Sequence, residues 1–237
     1  IDDWTVLAGV IASIAIRING IESRLAIDDW TVLAEVITSI AILISGDGGW
    51  AGIDKALTHQ LGQQGIPTLG LNSLRYFWFA RTQSEIGLTL KTMLEESEQT
   101  WPQRQFILIG FSRGANVLPF MVETLPEDWR ARIVRIALLS PAKATDLEFR
   151  LRDWWTNRPP PDALPLLPVI QRLQGVDLLC LYGQEDEEAL CPELEEGLAK
   201  VIAFPGGHHL GGEYTRIRRD ILMGLPGIPG SEEPQTD

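Results

Sequence analysis

Histidine and cysteine are scarce in this 237-residue chain, which has three of the first (His59, His208, His209) and two of the second (Cys180, Cys191). The cysteines lack C-x-x-C spacing, so no metal site is read from them. No run of 18 apolar residues occurs, which leaves no transmembrane helix to assign. Cations are short as well: 20 Lys and Arg stand against 32 Asp and Glu, a net charge of −12. Phosphate binding needs clustered Lys and Arg, so nucleic acid is excluded as a partner class. The acidic balance otherwise reads as solubility. The glycine-rich stretch SGDGGW at 45–50 has no G-K-[ST] ending, which argues against a phosphate-binding loop.

What is present suits one α/β domain with a sizeable core, since 45% of residues are hydrophobic and 22 are glycine. The first 40 residues form a duplicated segment. IDDWTVLAGVIASIAI at 1–16 returns as IDDWTVLAEVITSIAI at 27–42, changed only at Gly9/Glu35 and Ala12/Thr38. Two copies are too few for a solenoid, and only the second runs on into an apolar strand, so that copy is expected to hold the structural place. The chain begins at Ile1, so no leader is read from it. The domain proper is expected over 41–225, with a frayed Pro-, Gly- and Glu-rich tail over 226–237.

Short apolar runs predict strands at Ile40–Ser45, Ile66–Asn72, Phe106–Phe111, Ile133–Ser140, Asp177–Tyr182 and Lys200–Phe204. Helices are expected near 51–64, 84–99, 113–125, 164–174, 187–199 and 212–224. Alternation of this kind implies βαβ units, a mostly parallel central sheet and helices on both faces. Between Ser140 and Asp177 the stretch DLEFRLRDWWTNRPPPDALPLLPVIQ carries Trp154-Trp155 and Pro159-Pro160-Pro161, and reads as a cap insertion or a packed loop.

In parallel sheets of this kind ligands bind beyond the carboxyl ends of strands. The chemically suggestive residues all fall there. Gly110-Phe111-Ser112-Arg113-Gly114 is a G-x-S-x-G between a strand-like run and a helical pattern, the context of the α/β-hydrolase nucleophile elbow. Ser112 is therefore the candidate nucleophile. A serine needs a base, and imidazole is the usual one near neutral pH. His59 reads as a helix-surface residue, whereas His208 and His209 follow the last strand in AFPGGHHLGG. His208 is the preferred base, with His209 the alternate. The acid should precede it, and QEDEE after the fifth strand offers Asp186, with Glu185 second. Oxyanion donors are expected from the backbone N–H of Arg113 and from SGDGGW through Asp47 or Gly48. Ten residues separate Cys180 from Cys191, a span that a disulfide could close in an oxidising compartment, or that could leave two free thiols.

The stretches SGDGGWAGIDKAL, GIPTLGLNSLRYFW, LIGFSRGANVLPF, LCLYGQEDEEALCP and FPGGHHLGGEY, within about 41–222, resemble the bacterial virulence protein VirJ/AcvB family. Asn72, Asn116 and Leu210 depart from that pattern, where Asp, Asp and an aromatic residue are expected. The resemblance implies an α/β-hydrolase fold and a periplasmic serine ester hydrolase. Its implied substrate is the aminoacyl ester of aminoacyl-phosphatidylglycerol, cleaved by Ser112, His208 and Asp186 without metal or organic cofactor. It also implies contact with a lipid headgroup and membrane surface, and links to virulence and to type IV secretion-system proteins. A periplasmic location favours the Cys180–Cys191 disulfide. The alternatives are an esterase or thioesterase acting on a soluble substrate, and a non-enzymatic secretion factor on a hydrolase scaffold.

Overall fold

A computed structural model describes residues 4–6, 39–148, 163–173 and 175–228. Its strands are β1 (Trp4–Val6), β2 (Ser39–Ile44), β3 (Thr68–Leu71), β4 (Gln105–Phe111), β5 (Ile133–Leu139), β6 (Ala144–Thr145), β7 (Leu164–Pro165), β8 (Leu178–Gly183) and β9 (Lys200–Phe204). The helices are α1 (Gly52–Gln63), α2 (Ser73–Tyr76), α3 (Gln83–Thr100), α4 (Arg113–Glu123), α5 (Glu127–Arg130), α6 (Leu167–Arg172) and α7 (Tyr214–Leu222). The main sheet has the order β1-β3-β2-β4-β5-β8-β9. Every neighbouring pair in it is parallel except β1 with β3. Strands β6 and β7 form a separate antiparallel pair. This is the mostly parallel sheet expected from the alternating runs, and it agrees with the α/β-hydrolase fold that the family resemblance implies.

The central strands are apolar on both sides because both sides are covered. Alternate residues of a strand point to opposite faces. Ile40, Ile42, Ile44, Phe106, Leu108, Ile136 and Leu138 meet Ile86, Leu90, Val117 and Leu118 of α3 and α4. Ala41, Leu43, Ile107, Ile109, Ala137 and Leu139 meet Ile53, Leu57, Ile217 and Ile221 of α1 and α7. Helix α3 starts with a reciprocal cap in which Glu85 N–H donates to Thr82 Oγ1 and Thr82 N–H to Glu85 Oε2. Helix α1 has half of that device. Ala51 N–H donates to Asp54 Oδ2 at 3.0 Å, but Ala51 has no side-chain oxygen to reciprocate.

Two expectations need correction, and a third gains an addition. The stretch 187–199 is not a helix. It holds a single 3-10 turn, Cys191–Glu193, because Cys191 is bonded to Cys180 of β8 and Gly197 turns the chain at φ +85°. The strand expected from Ile66 begins at Thr68, after Pro67, whose carbonyl accepts from Ala41 N–H. The second copy of the duplicated segment supplies the central strand β2, as expected, and Trp4–Val6 of the first copy pairs antiparallel with Leu69–Leu71 at the edge of the sheet. Most of that segment, the tail beyond 228, and Trp154, Trp155 and Pro159–Pro161 lie outside the described residues. No helix among the described residues is long and apolar enough to cross a membrane.

Candidate active site

Strand β4 ends at Phe111 and α4 starts at Arg113, so Ser112 alone makes the turn. Its backbone sits at φ 53°, ψ −117°, a conformation that L-residues rarely adopt and that stores about 1–3 kcal/mol of strain. Two bonds hold it there: Ser112 N–H donates to Leu139 O at 2.9 Å, and Ser112 O accepts from Asn116 N–H at 3.0 Å. The flanking glycines have steric causes. A Cβ on Gly110 would lie 2.5 Å from the Gly114 carbonyl group, and one on Gly114 would lie 2.0 Å from Ile44 O. Substitution at either position would push the elbow off the sheet.

His208 reaches this turn from the loop after β9. Its Nε2 is 2.8 Å from Ser112 Oγ, and its Nδ1 is 2.8 Å from Asp186 Oδ2. A carboxylate only accepts, so Nδ1–H donates to Asp186 and leaves Nε2 to accept from the serine hydroxyl. The Asp186 side chain is 8% exposed and that of His208 is 43% exposed. The carboxylate is thus sheltered while the imidazole stays partly open to solvent. Asp186 stands in a turn that its own N–H closes on Gly183 O at 2.9 Å. The histidine loop is tied to the same strand end, with Glu185 N–H donating to Gly206 O and Gln184 N–H to Phe204 O.

The structure brings Ser112, His208 and Asp186 together and leaves the alternates aside. His209 packs its ring against Phe111 and stands edge-on to His208 at a centroid distance of 5.9 Å. Glu185 is turned outward, and His59 pairs with Gln63 on the exposed face of α1. In the SGDGGW loop Gly49 N–H donates to Gly46 O at 3.0 Å, closing a turn. That uses the Gly49 donor and leaves Asp47 and Gly48 as its central residues. A Cβ on Gly48 would meet nothing within 4 Å, so the Cα of this residue borders open space. At the end of the loop the Trp50 ring lies over Gly70, where a Cβ would fall 2.2 Å from it.

Several supporting residues were not foreseen from sequence. Ser140, at φ 49°, donates its hydroxyl to His208 O at 2.8 Å and so anchors the histidine loop from the end of β5. Its only sequence signal is its place just past a strand's carboxyl end. Ser45 and Ser73 are cross-linked by two bonds of 3.0 and 2.6 Å beneath the loop. Asn72 caps α2 by accepting from Arg75 N–H, Asn116 Oδ1 accepts from Ala142 N–H at 2.7 Å, and Leu210 is fully buried. The Arg113 guanidinium, 11% exposed, pairs with Asp47 and with Asp146. Burial opposes its charge, but the two carboxylates outweigh that and raise its pKa above the usual value.

The model of the bacterial virulence protein (VirJ) family matches residues 38–227. The chain belongs to that family. Solved structures place this VirJ family member among α/β-hydrolase folds. It is similar to Est1E from Butyrivibrio proteoclasticus, with 14% identity, a TM-score of 0.56, and coverage of 78% of this chain and 86% of that one. It is also similar to the Pyrococcus furiosus esterase Pf2001, at 16% identity and TM-score 0.55, covering 78% and 80%. A lipase-esterase related protein from Clostridium acetobutylicum matches at 13% identity and TM-score 0.55, covering 78% and 93%. A search of curated proteins returns no significant match. No group of three His, Cys, Asp or Glu that could hold a metal occurs among the described residues.

Proposed function

We propose that this VirJ family member is a serine ester hydrolase whose substrate is the aminoacyl ester of aminoacyl-phosphatidylglycerol, with lysyl-phosphatidylglycerol as the type case. The observation that carries the reaction class is the Ser112–His208–Asp186 relay of two 2.8 Å contacts built on a strained elbow. His208 Nε2 takes the Ser112 proton as Oγ attacks the ester carbonyl. Asp186 stabilises the imidazolium that forms. The N–H groups of Arg113 and of Asp47 or Gly48 receive the oxyanion. His208 then returns the proton to the leaving glycerol oxygen, and phosphatidylglycerol departs. In the second half His208 deprotonates a water, which attacks the acyl-enzyme and frees the amino acid as Ser112 recovers its proton.

The lipid substrate draws its support from the family and from the half-exposed imidazole, which suits a headgroup presented at a membrane surface. A periplasmic location is part of the reading, supported by the Cys180–Cys191 bond, since disulfides persist in oxidising compartments. Contact with secretion-system proteins remains a secondary proposal carried by the family alone. The similar folds titled esterase or lipase-esterase related support ester hydrolysis in general, and the alternative substrate is a soluble ester. The test presents purified protein with lysyl-phosphatidylglycerol in mixed micelles and, separately, with a short-chain soluble ester, using Ser112→Ala as control. Serine-dependent release of lysine supports the lipid reading; turnover of the soluble ester alone moves the assignment to a soluble substrate. No turnover of either removes the enzyme reading.

A further inference from the structure

Arg113 follows the nucleophile directly, yet its side chain turns inward rather than toward solvent. Its Nε pairs with Asp47 Oδ1 in the SGDGGW turn. Its Nη1 donates to Asp146 Oδ1 at 2.6 Å and to Asp146 O at 3.2 Å. The guanidinium carbon also lies 5.9 Å from the centroid of the Phe77 ring, and Phe77 is fully buried. One cation therefore ties together four segments: the elbow, the 46–49 turn, the end of α2, and the chain just after β6.

We infer that the Arg113 side chain is a positioning residue that sets the oxyanion-binding peptides. The inference rests on the serine-hydrolase reading of the site. The 46–49 turn is closed by the pairing of Gly46 with Gly49, with Gly49 N–H donating to Gly46 O, and glycines flank Asp47 on both sides. A turn of that composition has other low-energy orientations for its central peptides. Oxyanion stabilisation works only when the donor is already aimed, because reorganisation during reaction forfeits its benefit. Asp47 is the turn's one anchoring side chain, and its carboxylate is held by the residue whose own N–H is the other donor. The two donors are thus locked to each other through the side chain of Arg113. Lysine could not replace it, because one ammonium lacks the planar fork that bridges Asp47 and Asp146.

The experiment measures kcat and KM on whichever ester the wild type turns over, with melting temperatures, for Arg113→Gln, Arg113→Lys, Asp47→Asn and Asp146→Asn. Affinity for an arylboronic acid, which forms a tetrahedral adduct on the serine, is measured beside them. Arg113→Gln and Asp47→Asn are expected to lose about 100-fold in kcat, the scale of one misplaced oxyanion donor. KM should stay within about threefold, as befits an interaction made in the transition state. Boronate affinity should fall with kcat, Arg113→Lys should lie between wild type and Arg113→Gln, and Asp146→Asn should lose less than Asp47→Asn. Should Arg113→Gln fail to fold, the near-isosteric Asp47→Asn variant carries the test. A wild type that turns over ester while Arg113→Gln and Asp47→Asn keep its kcat and boronate affinity overturns the inference and spares the hydrolase reading. Losses that follow melting temperature across all four variants, with boronate affinity unmoved, also overturn it. A wild type without Ser112-dependent turnover removes the hydrolase reading itself, and this inference with it.

Discussion

A Cβ placed on Gly183 would lie 2.0 Å from the carbonyl oxygen of Gly207, and 2.4 Å from that of Gly206. The end of the strand that presents Asp186 and the loop that presents His208 thus touch backbone to backbone. The approach of the Asp186 and His208 segments depends on the absence of a side chain at Gly183. Gly183→Ala must push the histidine loop away, and a displacement near 1 Å at a reacting group costs on the order of 100-fold in rate. We expect Gly183→Ala to lose kcat by about that factor while stability falls by about 1–3 kcal/mol from overpacking. Wild-type kcat and melting temperature in this variant would show that the loop yields freely.

Ser112→Ala should lose about 1000-fold or more of ester turnover, by analogy with triads elsewhere. The strain at φ 53° belongs to the backbone and not to the hydroxyl, so alanine inherits it and the melting temperature should hardly move. Unchanged turnover in a folded Ser112→Ala protein would remove serine catalysis.

His208 and His209 separate by what their rings touch. Both rings pack on Phe111, but only His208 makes hydrogen bonds to Ser112 and Asp186. His208→Ala is expected to be as inactive as Ser112→Ala, and His209→Ala to retain most of its turnover with a modest loss of stability. Side-by-side assay decides it, and the reverse pattern would exchange their roles.

The elbow was legible because its main constraints are local. Gly110 and Gly114 are demanded by contacts within the strand–turn–helix unit, so a pentapeptide carries them. The six parallel strands were legible because burial on both faces leaves continuous apolar runs such as SIAILI and QFILIGF. What sequence did not reveal depends on contacts far apart in the chain. Ser140 meets His208 across 68 positions, and Arg113 meets Asp47 across 66. Nothing in the local pattern of either serine or arginine announces the partner. The stretch 187–199 misled for a related reason, since its acidic, leucine-bearing composition favours helix while a covalent link to β8 and Gly197 prevent it.

That link, Cys180 to Cys191, closes a loop containing Asp186 and leaves no free cysteine. Loop closure over so short a span contributes about 2–3 kcal/mol through the unfolded state. Reduction should lower the melting temperature, and turnover should fall with it because the acid lies inside the loop being released. Thiol titration of the unreduced, denatured protein checks the bond, with zero thiols per chain expected. Two titratable thiols would dismiss it, and with it one support for a periplasmic location.

Asp54 gives the chain a pH dependence of its own. The residue is 2% exposed, one carboxyl oxygen holds Ala51 N–H, and the other has no hydrogen-bond partner among the described residues. Burial raises its pKa from 3.8 to about 6, against the lowering effect of the Ala51 bond. Below pH 3.8 the group is protonated in both folded and unfolded chains and contributes nothing to pH dependence. Between 3.8 and about 6 the folded state binds the extra proton, so stability declines as pH rises. Above about 6 the full penalty is present, on the order of 3 kcal/mol for a shift of this size. Asp54→Asn keeps an acceptor for Ala51 and removes the charge. The variant should therefore melt several degrees above wild type at pH 8 and close to it at pH 4. Melting curves of both proteins across that range test the assignment, and a gap that does not widen with pH would refute a strained carboxylate at this position.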